Sequence, residues 1–134
     1  MANALYDKAR EAFLTGGINW LSDTIKMVLV DTADYTVDLA NHDYLNDVPA
    51  PARVATATLS GKTATGGVAD ANDMTFTSVS GDPCEALILY KDTGTESTSP
   101  LIAYIDSGVN LPVMPDGTDI TVQWSGVSSK IFRL

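Results

Sequence analysis

The sequence predicts an all-β fold with one short N-terminal helix, arranged as an antiparallel β-sandwich or jelly-roll-like barrel of about eight strands. Segments rich in β-branched and aromatic residues recur at spacings of roughly ten residues, as at 24–30, 84–90, 101–105 and 119–124. Turn formers separate them, among them Gly61, the 80–83 run SGDP and Gly117. After the N-terminus no helical periodicity interrupts the strands, so parallel βαβ units are not expected. A chain of 134 residues fits one domain with one core, and 1–134 shows no linker, repeat or composition break.

Each element has its own justification. Residues 3–14 read as a helix, because Leu5, Ala9, Ala12 and Phe13 fall on one stripe while Lys8, Arg10 and Glu11 lie mostly off it. Asn3 is the expected N-cap, and Gly16-Gly17 ends the helix. The N-terminal unit spans 1–17, and a helix this short must dock its stripe, on the chain's own sheet or alternatively on a partner subunit. In 24–30, Ile25, Met27 and Leu29 share one face and Lys26, Val28 and Val30 the other, which predicts burial on one side at the start and on both sides at the end.

Residues 31–52 are polar with isolated aromatics and form a long contact loop, with one helical turn expected at 41–46. Tyr35, Tyr44 and Leu45 are its expected anchors. Strands follow at 53–60, 74–79, 85–91, 101–106, 119–125 and 130–134, with a short pairing of 63–65 before Val68. The pair around the polar loop 92–99 reads as a hairpin. The last residues, 131–134, are expected in the core.

Composition excludes several function classes. The net charge is −9, with only eight Lys and Arg, so nucleic acid is not an expected partner. No apolar run approaches the ~20 residues that span a bilayer, so no membrane partner is expected. The N-terminus lacks the continuous apolar stretch of a secretory signal, and the chain is expected to fold in a cytoplasm. There is one His and one Cys, so neither a disulfide nor a tetrahedral zinc site is expected. Cys84 reads as a buried structural thiol and His42 as a hydrogen-bonding loop residue. Asp31 with Asp34, and Asp70 with Asn72 and Asp73, are oxygen-rich turns of the kind calcium uses, but their spacing is that of ordinary turn formers. Trp20 and Trp124 read as core rather than sugar platforms. No catalytic residue, metal ligand or cofactor-binding residue stands out, and an enzyme is not expected.

Six segments are familiar in combination: LYDKAREAFL at 5–14, INW at 18–20, DTIKMVLVD at 23–31, LYKDTG at 89–94, PLIAYID at 100–106 and TVQW at 121–124. Their order resembles a widespread family of small virion structural proteins of tailed bacteriophages, over most of the chain. The resemblance implies a virion structural component, above all a capsid decoration (cement) protein on the outer surface of the major capsid protein lattice. The implied partners are the major capsid protein and copies of the chain itself, as a dimer or trimer. The implied location is the capsid exterior, after synthesis in the bacterial cytoplasm. On that reading the N-terminal helix and the 31–52 loop make the contacts, through Tyr6, Phe13, Tyr35, Tyr44 and Leu45. The alternatives are a tail- or fibre-associated protein contacting the host surface and, more remotely, a small envelope hydrolase.

Overall fold

β2 (Ile25–Val30) is an interior strand of the main sheet, and both of its faces are apolar: every residue but the half-buried Lys26 is buried. The structure, a computed structural model, describes residues 4–106, 111–122, 124 and 131–133. On one side β2 pairs antiparallel with β3 (Arg53–Thr58), and on the other with β6 (Ala86–Lys91). β6 pairs in turn with β7 (Leu101–Ile105), the hairpin expected around the 92–99 loop. Beyond β7 lies β1 (Ala4–Leu5), which completes a five-stranded antiparallel sheet of order β1-β7-β6-β2-β3. Two two-stranded ribbons accompany it: β4 (Val68–Ala69) with β9 (Phe132–Arg133), and β5 (Met74–Phe76) with β8 (Ile120–Val122). The described residues thus form a mostly β, antiparallel fold with one α-helix, α1 (Asp7–Leu14).

Register explains the core. Residues directly opposite on antiparallel strands share a face, so Val28, Ile88 and Tyr104 form one row and Met27, Leu89 and Ala103 another on the opposite face. All six are buried. Full burial of a side chain such as Leu89 stabilises by about 2 kcal/mol, and this repeated burial on both faces holds the sheet together. At the solvent end of β2 the Lys26 ammonium lies 2.9 Å from the Asp92 carboxylate.

The N-terminus corrects the sequence reading at the start of the helix. Residues 4–5 extend as a sheet strand rather than beginning the helix, so α1 starts at Asp7 with Tyr6 as its N-cap. The expected cap, Asn3, lies outside the described residues. Hydrophobic periodicity misplaced the start because Leu5, on the helical stripe, is equally suited to an edge strand opposite Ala103. The helix docks on the chain's own sheet, the first of the two arrangements expected, with Tyr6 and Ala9 fully buried. The helix ends where expected: Gly16, at φ +80°, lets Gly17 N–H donate to the Ala12 carbonyl at 2.7 Å and its own N–H reach Phe13 O at 3.4 Å.

The remaining expectations fall close to their elements. Thr63 and Asp70 exchange backbone hydrogen bonds of 2.9 and 3.1 Å, the short pairing expected at 63–65. Gly61 needs to be glycine twice over: its φ is +63°, and a Cβ there would collide with the Asn72 side chain. Of the expected strand 119–125, Ile120–Val122 is formed, and residues 123 and 125 lie outside the described set. Of 130–134, Phe132–Arg133 is formed, with 130 and 134 outside it. Phe132 packs edge-on to Trp20, with ring centroids 5.2 Å apart, and tilts against Phe13 at 6.1 Å.

Candidate functional site: a cleft between the helix and the 31–52 strap

The 31–52 segment is a strap tied down at intervals by backbone hydrogen bonds. Asp31 N–H donates to Ala52 O at 2.9 Å, closing the strap on itself. Asp7 N–H donates to Leu39 O at 2.8 Å, which joins the strap to the first turn of α1. Leu45 N–H donates to Ser99 O and Leu101 N–H to Asp43 O, both at 2.9 Å, so Tyr44 bridges Pro100 in strand-like fashion. Successive side chains in extended backbone point opposite ways. Leu45 therefore turns inward and is buried, whereas Tyr44 turns outward and is 37% exposed. A 3-10 turn at Leu45–Asp47 follows, in place of the helical turn expected at 41–46, and a second covers Ala50–Ala52.

The turn is secured by Asp47, whose carboxylate accepts Asp43 N–H at 2.8 Å and Tyr44 N–H at 3.5 Å. Burial raises the Asp47 carboxyl, but the Asp43 amide, the Asp43 side chain and the Tyr44 amide outweigh it and hold it below the usual carboxylate range.

Between the strap and the outer side of α1 lies an open cleft of about 340 Å³. Lys8, Glu11, Ala12 and Thr15 form its helical wall, and Asp43, Tyr44 and Pro100 form the opposite one. Lys8 and Glu11 pair at 3.2 Å across one helical turn, with both side chains well exposed. The cleft thus combines a mobile-length cation, two acids, a hydroxyl and an aromatic ring. Such a lining suits a polypeptide or carbohydrate surface contact rather than a single small apolar ligand.

Of the five residues expected at a partner interface, the structure brings one into this cleft. Tyr44 lines it. Tyr6, Tyr35 and Leu45 are 0%, 4% and 6% exposed, which corrects their assignment: they are interior groups and cannot touch a partner while the domain is folded. Tyr35 and Leu45 do anchor the strap to the body, as expected. Phe13 is half-buried and faces Phe132. The helical wall was legible only as the polar side of the predicted helix, and the pairing of that side with Tyr44 depends on the fold.

A largely buried chain of polar groups joins the residue that precedes α1 to two points on the strap. The hydroxyls of Tyr6 and Tyr35 are 2.8 Å apart, and the Tyr35 hydroxyl is 2.8 Å from His42 Nδ1. Asp38 N–H donates to the same nitrogen at 3.2 Å. Since Nδ1 accepts from an amide, the Tyr35 hydroxyl donates to it and the Tyr6 hydroxyl donates to Tyr35. Burial pushes the Tyr35 phenol up to about 12 and the Tyr6 phenol higher still, so both remain protonated donors.

The other sequence candidates serve local structure. Cys84 is buried, and burial, with nearby Glu85, Asp31 and Asp82, pushes its thiol up to about 11, unlike a reactive thiolate. The carboxylates of Asp31, Asp34 and Asp82 come within 4.8 Å of one another, but Asp31 Oδ1 accepts Ala33 N–H at 2.9 Å as in an ordinary Asx turn. Asp73 accepts Trp124 N–H at 3.0 Å, and Asn72 donates its N–H to Ser60 O. Trp20 is buried, with its indole N–H donating to Thr63 O at 3.0 Å. Trp124 is partly buried, and its indole N–H donates to Asn72 O at 3.2 Å. Among the described residues no helix is long and apolar enough to cross a membrane.

No family model matches this chain, nor does any curated protein sequence.

Proposed function

We propose that the chain is a capsid decoration protein of a tailed bacteriophage, binding the outside of the major capsid protein lattice and stabilising the shell. The observation that carries the reading is where the familiar segments fall. DTIKMVLVD, LYKDTG and PLIAYID build β2, β6, β7 and their connection, while LYDKAREAFL supplies β1 and α1. They specify a rigid platform that presents the helix and the strap on one side, with Tyr44 exposed between them. A protein present in many copies on a symmetric shell needs only a modest contact per copy, and a single exposed aromatic in a polar surround has that character. The acidity of the chain, −9 overall, keeps free copies from associating non-specifically. Self-association as a dimer or trimer on the shell belongs to the same proposal. So does a sandwich-like closure in which the β5–β8 and β4–β9 ribbons form a second layer, supported by the burial of Phe76 and Val122.

A second reading, a tail- or fibre-associated protein contacting the host surface, is favoured by one observation: an exposed tyrosine beside an open cleft is a geometry on which sugars stack.

The test is stoichiometry. Purified protein is mixed with expanded, DNA-free capsids of its phage, and bound copies are counted after sedimentation. Saturation in a fixed ratio to capsid subunits, abolished by Tyr44→Ala, is the expected result. No sedimentation with shells, together with binding to host envelope polysaccharide, would replace the capsid reading with the tail reading.

A further inference from the structure

We propose that His42 is a proton-operated latch on the strap: with Nδ1 bare it fastens the 38–42 turn to Tyr35, and a proton on Nδ1 unfastens it. The inference rests on hydrogen-bond geometry alone and stands apart from the capsid reading.

The turn is built to close on this nitrogen. Asp38 acts as its cap, with Oδ1 accepting the N–H groups of Ala40 and Asn41 at 3.2 Å each, while His42 N–H donates to Asp38 O at 3.0 Å. The imidazole then folds back so that Asp38 N–H donates to Nδ1 at 3.2 Å. The same lone pair receives the Tyr35 hydroxyl at 2.8 Å, and the two rings lie 5.4 Å apart. Nδ1 is therefore an acceptor shared by two donors, and the ring proton sits on Nε2.

Protonation converts the shared acceptor into a donor. The Tyr35 hydroxyl can rotate to accept from it, but a backbone amide cannot turn around. Asp38 N–H is then left facing another N–H, and the turn must open to give it a new acceptor. The groups around the ring are acids and phenols. On the strap, the Asp38 and Asp47 carboxylates both feel His42 as an attractive charge. Asp43 neighbours it in sequence and accompanies Asp47. From α1, Tyr6 faces Tyr35 as a neutral phenol, and Asp7 is occupied by Arg10 at 2.7 Å. From β7, the Tyr104 ring lies 6.4 Å from Tyr35, also as a neutral phenol. Because Asp43 and Tyr44 follow His42 directly, opening the turn reshapes the strap wall of the cleft.

The test begins with the unaltered protein. Long-range proton–nitrogen correlation spectra of the intact protein report the His42 tautomer, and amide exchange reports Asp38. The expected result is the Nε2–H tautomer at about pH 8, with the protection factor of the Asp38 amide falling about tenfold or more as the ring takes its proton towards about pH 5. Amide protection in the β2–β6 ladder is expected to stay constant over that range. An Nδ1–H tautomer at high pH, or an Asp38 protection factor unchanged through the His42 titration, would overturn the latch. His42→Asn supplies an amide acceptor that does not titrate. Its Asp38 protection is expected to be independent of pH, and a fall like the wild type's would show that another group drives the opening.

Discussion

The central strands form the sheet and the strap is tied to its edge and to α1, and different forces hold the two. β2, β6 and β7 are fastened by apolar rows buried on both faces, such as Val28, Ile88 and Tyr104. The strap contributes a few buried side chains, Tyr35, Leu45 and Val48, and otherwise depends on single hydrogen bonds to α1, to Ser99 and Leu101, and to itself. Hydrophobic burial is non-directional and tolerates small movements, whereas a hydrogen-bonded turn depends on each donor keeping its acceptor. The sheet is therefore the more uniformly fastened part, and the strap is the part expected to open locally at lower cost.

Four substitutions would sharpen or break this contrast. The largest effect is expected in the sheet. Leu89→Ala empties a fully buried site in β6 and should destabilise by about 3 kcal/mol, read as a lower denaturant midpoint. A cost below ~1 kcal/mol would mean that this layer is less tightly packed than its burial indicates.

Next comes the strap. Tyr35→Phe removes the donor to His42 Nδ1 and the acceptor of Tyr6 in one step, and should cost about 2 kcal/mol. A double-mutant cycle with Tyr6→Phe should give a non-additive result, since the two hydroxyls act as one chain. Additive costs would dissolve the chain as a unit.

Asp92→Asn probes the ion pair at the end of β2. The partner Lys26 holds the Asp92 carboxyl below its usual range, while the ammonium is itself raised. The folded carboxyl therefore binds its proton more weakly than the unfolded one. Its contribution is present above the unfolded value of about 3.9 and is lost as pH falls through the lower folded value. The pair is about 30% exposed, so the substitution should cost only about 0.5 kcal/mol near neutrality and should flatten the acid side of the stability profile. An unchanged acid limb would assign the acid sensitivity to other carboxylates, such as Asp23 or Asp47.

The smallest expected stability effect belongs to Tyr44→Ala. An outward-facing side chain at this position should change stability by less than about 0.5 kcal/mol, measured by thermal melting. A large loss of stability would place Tyr44 with Leu45 as a structural anchor and remove it as a contact residue.

The parts of the fold that were legible in the sequence are those governed by local periodicity. The alternation in 24–30 anticipated a strand buried on one face at Lys26 and on both thereafter, as found. Gly16-Gly17 marked the helix end because only a residue at ease with positive φ allows that closure. The helix start was misread because Leu5 satisfies two periodicities, and its pairing with Ala103 some hundred residues away decides between them. The candidate site was read only in part. Aromatics in a polar loop signalled anchoring, but anchoring and contact-making use the same residue types. Tyr35 and Tyr44 look alike in sequence, and only backbone direction turns one inward and the other out.

By itself the sequence determined the mostly β class of the fold, the central strands and the net acidity of the chain, because composition and short-range alternation act residue by residue. The tertiary structure alone decided that Tyr6, Tyr35 and His42 form one hydrogen-bonded chain and that Lys8 and Glu11 face Tyr44 across a cleft. Those arrangements depend on which distant segments the sheet brings together, and a hydrogen bond exists only when its donor and acceptor are placed within about 3 Å of each other.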